Sequence, residues 1–172
     1  MASTKTQAQD ENGLTEPGAP VVRVLHGPNL NMLGNRDPEF YGDATLGEIE
    51  KLSAARAEML GLRAEFLQTN HEGELVDAVQ AAGHEAAGIV INPGALTHYS
   101  FALADALGDL EIPVVEVHLS NIYAREEWRR KSVVSPSATA CLAGFGTMGY
   151  VFGLDAMAGF LARAEAESGS AG

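Results

Sequence analysis

The sequence predicts a single α/β domain built on an open parallel sheet of five strands, with helices covering both faces. Short apolar runs alternate with longer stretches of helical periodicity, and strands that are apolar throughout are typical of buried parallel sheets. The chain has 172 residues, of which 46% are hydrophobic, so it can form one domain with a sizeable core. It contains no internal repeat and no linker between two cores.

The predicted elements follow one another in strict alternation. Residues 21–26 form the first strand, and Thr45 and Glu48 form a capping box that opens a helix stopping at Gly61. The other elements, in order, are strand 62–68, helix 72–82 ended by Gly83, strand 87–92, helix 97–107, strand 113–117, a polar loop with a short basic helix, strand 139–143 and a helix from about Met148. The outline is that of a flavodoxin-like, doubly wound sheet.

The two ends of the chain differ from this pattern. Residues 1–20 carry almost no large apolar side chains, so burial cannot offset the entropy of ordering them. Residues 168–172 are similarly small and polar. We therefore expect a disordered N-terminal tail, a folded domain at 21–167 and a flexible C-terminal tail.

Composition limits the classes of function. A net charge of −12 argues against general binding of nucleic acid. Only 11 residues are Lys or Arg, yet Arg125, Arg129, Arg130 and Lys131 lie within seven positions. Such a cluster suits a small anion, and it equally suits a solvated helix face paired with neighbouring glutamates.

The cellular location is predicted from cysteine content and hydropathy. The chain has one cysteine, Cys141, so no internal disulfide can form, and we expect its side chain to be buried as a small apolar group. No apolar run approaches the roughly 20 residues of a membrane span, and the N-terminus lacks a signal-peptide core. These features predict a cytoplasmic protein that does not bind membranes.

Polar residues gather where the predicted strands end. His26-Gly-Pro-Asn29 follows the first strand, Asn92-Pro-Gly follows the third, and Asn121 closes a polar stretch at the fourth. Ligands of open parallel sheets bind beyond the carboxyl ends of the strands. The sequence therefore predicts a binding site at this edge.

Glu116, His118 and Ser120 are spaced by two residues, so on a strand they project to one side. A carboxylate beside an imidazole can orient the ring and stabilise its protonated form, which makes His118 a candidate general acid. The alternative is a buried histidine satisfied by its neighbour, but the polar residues that follow favour a site. His98, at the start of a predicted helix, either contacts a ligand hydroxyl or takes part in capping.

The connection from residue 27 to residue 42 is unusually long, and long loops are often lids or binding loops. It carries Asn29, Arg36 and Tyr41. A tyrosine, with an ordinary pKa of about 10, acts as a base at neutral pH only when a nearby cation favours its phenolate. Arg36 is an available cation in the same segment.

The stretch from Gly144 to Gly149 matches the GxGxxG pattern of dinucleotide-binding loops. That pattern belongs to a βαβ unit, whereas here it follows the last predicted strand. We interpret it as a tight turn with close backbone packing. No Walker loop, HExxH motif or metal-spaced Cys/His cluster is present, so we expect neither a cofactor nor a metal.

Six motifs, in order along residues 21–160, resemble the type II dehydroquinase family. They are His26-Gly-Pro-Asn-Leu-Asn-Met-Leu-Gly34, Arg36-Asp-Pro-Glu-Phe-Tyr-Gly42, Gln68-Thr-Asn-His-Glu-Gly-Glu-Leu75, Ile91-Asn-Pro-Gly-Ala-Leu-Thr-His98, Glu116-Val-His-Leu-Ser-Asn121 and Arg125-Glu-Glu-Trp-Arg129. The resemblance implies a cofactor-free lyase that dehydrates 3-dehydroquinate to 3-dehydroshikimate by anti elimination through an enolate. This step serves the shikimate pathway of aromatic amino acid biosynthesis or quinate catabolism.

The resemblance also implies catalytic roles. Tyr41 would remove the C2 proton, and Arg36, on a mobile lid, would lower the pKa of Tyr41. Asn29 would hold a water that stabilises the enolate oxygen. His118, oriented by Glu116, would protonate the departing hydroxyl.

Substrate binding and assembly are implied in the same way. Ser120 and the Leu119 backbone N–H would bind the substrate carboxylate. Asp105 would reach the site of a neighbouring subunit in a dodecamer built from trimers. Three residues would hold ring hydroxyls: Asn92, His98 and Arg129.

The sequence departs from the family pattern at His26, Tyr99 and Met148, which leaves the proposed catalytic positions intact. A rival prediction is a flavodoxin-like module that binds FMN or another small anion. A second rival is a Rossmann-type oxidoreductase based on the glycine pattern at residues 144–149.

Overall fold

The computed structural model describes residues 18–35 and 43–170. Within these ranges the strands form one sheet, in which every neighbouring pair is parallel. The spatial order is β2-β1-β3-β4-β5, that of flavodoxin-like folds. This confirms the predicted fold class. The strands are β1 Val21–His26, β2 Arg63–Gln68, β3 Gly88–Asn92, β4 Val114–His118 and β5 Ala140–Ala143.

Among the described residues, four α-helices cover both faces of this sheet, as predicted. They are α1 Leu46–Met59, α2 Glu72–Glu85, α3 Phe101–Gly108 and α4 Met148–Ser170. On one face, Ile49 of α1 and Leu154 of α4 pack in a buried cluster with Val24 and Val90. On the other face, α2 and α3 bury a second apolar cluster against the same strands. Each fully buried aliphatic side chain contributes about 1.5–3 kcal/mol to folding.

The start of α1 is the predicted capping box. The Thr45 side chain accepts a hydrogen bond from the Glu48 backbone N–H at 3.3 Å. The Glu48 carboxylate accepts one from the Thr45 N–H at 2.7 Å. After the helix, Gly61 adopts a positive φ of 71°, which a glycine tolerates without strain.

Two predicted helix boundaries are wrong. Helix α2 continues through Gly83, because this glycine makes room for a neighbour: a Cβ here would lie 2.7 Å from Leu110 Cδ2. The helix predicted to start at residue 97 starts later. Gly94–His98 instead forms a 3₁₀ turn, and the Ser100 hydroxyl caps α3 by accepting the Leu103 N–H at 3.0 Å.

Two further expectations need correction. Helix α4 extends to Ser170, whereas we predicted a flexible tail from residue 168; the hydroxyls of Ser168 and Ser170 each donate at 2.9 Å to a helix carbonyl three residues earlier. Cys141 is exposed rather than buried, because it lies on the edge strand β5. The predicted N-terminal tail lies outside the described residues, except for Gly18 to Pro20.

The GxGxxG stretch forms the turn between β5 and α4 and the first residues of α4. A Cβ on Gly149 would lie 3.1 Å from Val117 Cγ1, and one on Gly144 would lie 3.0 Å from Asn121 Cβ. These contacts support our interpretation of close packing between this stretch and the end of β4 with the residues that follow it. In the described part of the chain, no helix is long and apolar enough to cross a membrane.

Candidate active site

The carboxyl ends of β1, β3 and β4 meet at one cavity of about 120 Å³. This is the edge at which open parallel sheets bind ligands. Most of the predicted site residues that the structure describes line this cavity. They are Asn29, Asn92, His98, His118, Leu119, Ser120 and Arg129.

Two glycines lock the loops after β1 and β3 together. The Gly27 N–H donates to the Asn92 carbonyl at 2.8 Å, and a Cβ on Gly27 would lie 2.4 Å from the Pro93 carbonyl oxygen. Gly94 has a φ of 60°, and a Cβ there would lie 2.9 Å from the Pro28 carbonyl oxygen. Both positions therefore require glycine, and the two loops present their polar side chains in a fixed relation.

Asn29 has a left-handed backbone, with φ 67° and ψ 0°, which is uncommon for a residue with a side chain. Its backbone N–H donates to Asn70 Oδ1 at 2.8 Å. Gln68 supports this contact because its Nε2 donates to Asn70 Oδ1 at 3.1 Å and to the Gly27 carbonyl at 3.3 Å. Sequence reasoning gave no role to Gln68 or Asn70, although Gln68 is the last residue of β2, the strand that pairs with β1, and Asn70 follows two positions later.

Glu116 and His118 form the predicted pair. His118 Nε2 lies 2.7 Å from Glu116 Oε1, and the glutamate is fully buried. Burial opposes ionisation of this carboxyl, but the hydrogen bond and charge of His118, with the hydroxyls of Ser135 and Thr97, hold its pKa below the ordinary value. Glu116 is therefore a carboxylate at neutral pH.

Three hydroxyl groups anchor this carboxylate, and sequence reasoning missed them all. Thr97 donates to Oε1, Ser135 donates to Oε2 at 2.5 Å, and the Ser132 hydroxyl lies 3.2 and 3.3 Å from the two oxygens. Since the carboxylate only accepts hydrogen bonds, His118 must carry its proton on Nε2. Its Nδ1 is then the ring nitrogen left for the cavity.

Glu116, His118 and Cys141 also bring three potential metal-ligand atoms within 4.8 Å of one another. However, four side chains already donate to the Glu116 oxygens, and a metal ion would have to displace them. Although the residue is exposed as a whole, partial burial of its sulfur raises the pKa of the Cys141 thiol, and Glu116 raises it further, which opposes the thiolate that a metal needs. We interpret the cluster as a hydrogen-bonded anchor for His118.

His98 has a defined tautomer. Its Nδ1 lies 2.8 Å from the Lys131 carbonyl oxygen, which can only accept, so Nδ1 carries a proton. Partial burial lowers the pKa of His98, and the charges of His118 and Arg129 act in the same direction, so the ring is neutral at pH 7. Its Nε2 then accepts a hydrogen bond, which suits a ligand hydroxyl.

The basic cluster divides between cavity and surface. Arg125 and Arg129 line the cavity, although sequence reasoning assigned only Arg129 to the site. The Arg129 guanidinium lies 4.0 Å from the centre of the Trp128 ring, whose plane packs edge-on against His98. Arg130 instead donates to the Arg125 carbonyl at 2.8 Å. Trp128 thus links an arginine and a histidine of the site.

The other predicted site residues lie at the cavity, on an exposed helix face or outside the described residues. Strand β4 ends at His118, so the following turn, rather than strand alternation, places Ser120 at the cavity. Asp105 is exposed on α3. Arg36 and Tyr41 lie outside the described residues, and their roles remain predictions.

Comparison with known proteins extends this picture. Residues 20–158 match the family model described as dehydroquinase class II. The chain is 52% identical over 138 residues to the 3-dehydroquinate dehydratase of Roseiflexus castenholzii, covering 80% of this chain and 88% of that protein. It is 54% identical over 137 residues to 3-dehydroquinate dehydratase 1 of Agrobacterium fabrum, covering 80% and 94% of the two chains.

Solved structures give the same result. The type II dehydroquinase from Propionibacterium acnes superposes with a TM-score of 0.79 at 42% identity, covering 81% of this chain and 96% of that one. The type II dehydroquinase from Butyrivibrio crossotus superposes with a TM-score of 0.80 at 38% identity, covering 82% and 99%. The likeness therefore spans nearly the whole of each of these relatives.

Proposed function

The chain belongs to the type II dehydroquinase family, and from this premise we propose that it removes water from 3-dehydroquinate through an enolate, with a tyrosine base and a histidine acid. The product is 3-dehydroshikimate. The observation that carries the proposal is the buried Glu116–His118 pair, whose imidazole opens onto a cavity lined by hydrogen-bonding groups.

The first step is proton removal from C2, next to the ketone. We assign it to Tyr41, with Arg36 as the cation that favours the phenolate. Negative charge then develops on the carbonyl oxygen and must be stabilised by a positioned donor. Asn29 fills this role through a bound water. The strained backbone at this residue supports the assignment, because such conformations cluster at functional sites.

The second step expels the C1 hydroxyl. Hydroxide is a poor leaving group, so an acid must deliver a proton as the C–O bond breaks. His118 donates from Nδ1, while its Nε2–H remains bonded to Glu116. The carboxylate stabilises the imidazolium before transfer and holds the ring in one orientation. An acid on one side of the ring and a base on the other give anti elimination.

Substrate binding uses the rest of the cavity. Ser120 and the Leu119 backbone N–H bind the carboxylate, close to the positive charge of the two cavity arginines. The neutral His98 accepts from one ring hydroxyl through Nε2. Asn92 and Arg129 bind the other ring hydroxyls.

We also propose that the enzyme works in the cytoplasm as a dodecamer of four trimers, in which Asp105 enters the site of a neighbouring subunit. Asp105 and Phe101 lie four residues apart on α3, so they share one face of the helix. Phe101 is 69% exposed, and Tyr99 beside it is 58% exposed. An exposed apolar surface of this kind is typical of a subunit contact. A single cysteine is compatible with a reducing compartment.

Adding 3-dehydroquinate to the purified protein tests the activity directly. The product contains a conjugated enone, so ultraviolet absorbance should rise with time and with enzyme concentration. Constant absorbance with authentic substrate would refute the proposed function. An absorption scan for bound flavin and a titration with NAD would then test the flavodoxin-like and Rossmann-type alternatives.

A further inference from the structure

Asn29 has the only left-handed backbone among the non-glycine residues that the structure describes. Such a conformation costs free energy in any residue with a side chain, so it persists only where surrounding contacts hold it. The peptide after Asn29 is held within the 3₁₀ turn, because the Asn29 carbonyl accepts the Met32 N–H at 3.1 Å. The peptide before it carries the Asn29 N–H, and the acceptor for this group comes from the loop after β2.

Asn70 supplies that acceptor. Its Oδ1 accepts the Asn29 N–H at 2.8 Å and Gln68 Nε2 at 3.1 Å. Both neighbours of this oxygen are donors, so the orientation of the Asn70 amide is defined. Gln68 Nε2 also donates to the Gly27 carbonyl at 3.3 Å. The two amides therefore hold the loop after β1 at two points, one on each side of Pro28.

The residues around Asn70 are fixed by Thr69. The Thr69 backbone N–H donates to the His26 carbonyl at 3.0 Å, which continues the pairing of β2 with β1. The buried Thr69 hydroxyl accepts the His71 N–H at 3.0 Å and donates to the Glu74 carboxylate in the first turn of α2. Asn70 itself is exposed. A substitution at Asn70 should therefore remove its contact with Asn29 and leave the core intact.

We propose that Asn70 is a positioning residue that holds Asn29 in the backbone conformation that the reaction requires. The inference rests on the proposed role of Asn29, which is to hold a water at the developing enolate oxygen. A donor stabilises such a charge best when its position is fixed before the charge develops. Without Asn70, solvent can accept the Asn29 N–H but cannot fix its direction, so the loop samples other conformations.

Asn70→Ala tests the proposal through the division between kcat and KM. The enolate charge develops only after binding, so we expect kcat to fall roughly three- to tenfold, the effect of one neutral hydrogen bond, with KM changed less than about twofold. Asn70→Asp keeps an acceptor oxygen for both donors and should stay within about twofold of the original kcat. If the aspartate variant is as slow as the alanine variant, the acceptor is not what matters, and the proposal fails.

A double-mutant cycle tests whether Asn70 acts through Asn29. Asn29→Gly removes the side-chain amide, while glycine still occupies the left-handed conformation. In this background, Asn70→Ala should lower kcat no further, because the amide that it positions is gone. An equal loss of kcat in the two backgrounds would overturn the inference.

Thr139→Val is the matched control. The Val114 N–H donates to Thr139 Oγ1 at 3.0 Å at the start of β4, whereas the cavity lies at the other end of this strand. The variant removes the same kind of hydrogen bond, so it should lower the melting temperature and leave kcat unchanged. Circular dichroism checks that every variant folds.

Turnover by the unaltered protein is measured first, and its absence would refute the proposed function. Normal turnover by Asn29→Gly would remove Asn29 from the mechanism and this inference with it. Slow turnover by Asn29→Gly together with a normal kcat for Asn70→Ala would refute this inference alone.

Discussion

His118 Nε2 lies 2.7 Å from Glu116 Oε1, and three hydroxyl groups from two separate segments hold the carboxylate of this pair. The segments are the 3₁₀ turn after β3 and two positions in the connection between β4 and β5. These hydrogen bonds keep the buried carboxylate charged and fixed in position without contact with solvent. His118, the proposed proton donor, depends on this charge and on this position.

Glu116→Gln should lower kcat by about 10²- to 10⁴-fold, the usual contribution of a general acid, because the imidazolium loses its counter-charge. Initial rates of enone formation provide the measurement. Glu85→Gln is the matched control, since Glu85 forms an exposed ion pair with Arg23 at 2.7 Å away from the cavity, and its rate should be unchanged. A near-normal rate for Glu116→Gln would remove the pair from the mechanism.

Tyr41→Phe should abolish turnover while leaving folding and substrate binding largely intact, because the variant lacks only the proposed base. Kinetics, circular dichroism and calorimetric binding of substrate would be compared with those of the unaltered protein. Tyr123→Phe, an exposed tyrosine beyond β4, is the control. If Tyr41→Phe still turns over at a normal rate, another group must be the base.

Borohydride added together with substrate should not inactivate the enzyme, because the proposed mechanism has no Schiff base. The chain has only three lysines, Lys5, Lys51 and Lys131, and none of them is among the residues that line the described cavity. Intact-mass spectrometry would detect a reduced adduct. An increase in mass equal to bound, reduced product would refute the enolate mechanism.

Acid should destabilise the fold through His26. Burial lowers its pKa from 6.5 in the unfolded chain to about 4 in the folded protein. Between these values the unfolded chain binds a proton that the folded chain does not, so stability falls as the pH drops from about 6.5 to about 4. The loss is on the order of 3 kcal/mol.

Melting temperatures of the unaltered protein and of His26→Asn, measured from pH 7 to pH 4, isolate this effect. Glu116, whose pKa is lowered, also destabilises the fold when it is protonated at acid pH, but it does so in both proteins. The variant should therefore show a shallower decline over this range. Parallel curves would mean that His26 does not titrate as described.

Phe101→Glu should dissociate the proposed dodecamer into smaller particles and lower the rate, because it places a charge on the exposed face that Phe101 shares with Asp105. Sedimentation velocity and enone formation would be measured on the same preparation. Phe101→Tyr keeps the ring and should keep the particle. Full activity in a stable monomer would contradict the role of Asp105.

The sequence predicted the sheet well because its signals are local. Apolar runs mark buried strands, and the capping box at Thr45 depends on residues only three positions apart. Helix ends were harder to predict, since Gly83 stays inside α2 for a tertiary reason, its contact with Leu110. A glycine that makes room for a neighbour and a glycine that stops a helix look the same in sequence.

In the site too, local contacts could be predicted from the sequence and long-range contacts could not. Adjacent motif residues such as Glu116 and His118 were predicted together because strand alternation puts them on one side. The hydroxyl that Thr97 supplies comes from 19 positions away, and Tyr150 is 124 positions from His26. Such groups come together only in the packed fold, so no short-range sequence pattern could predict their contacts.

Because Asn29 has a left-handed backbone, stability and catalysis favour different residues at this position. A glycine would occupy this conformation without strain, so selection for thermal robustness favours losing the side chain. Selection for turnover favours keeping the amide that glycine lacks. Ancestral or consensus redesign of this domain for heat resistance should therefore leave position 29 untouched and seek its gains elsewhere.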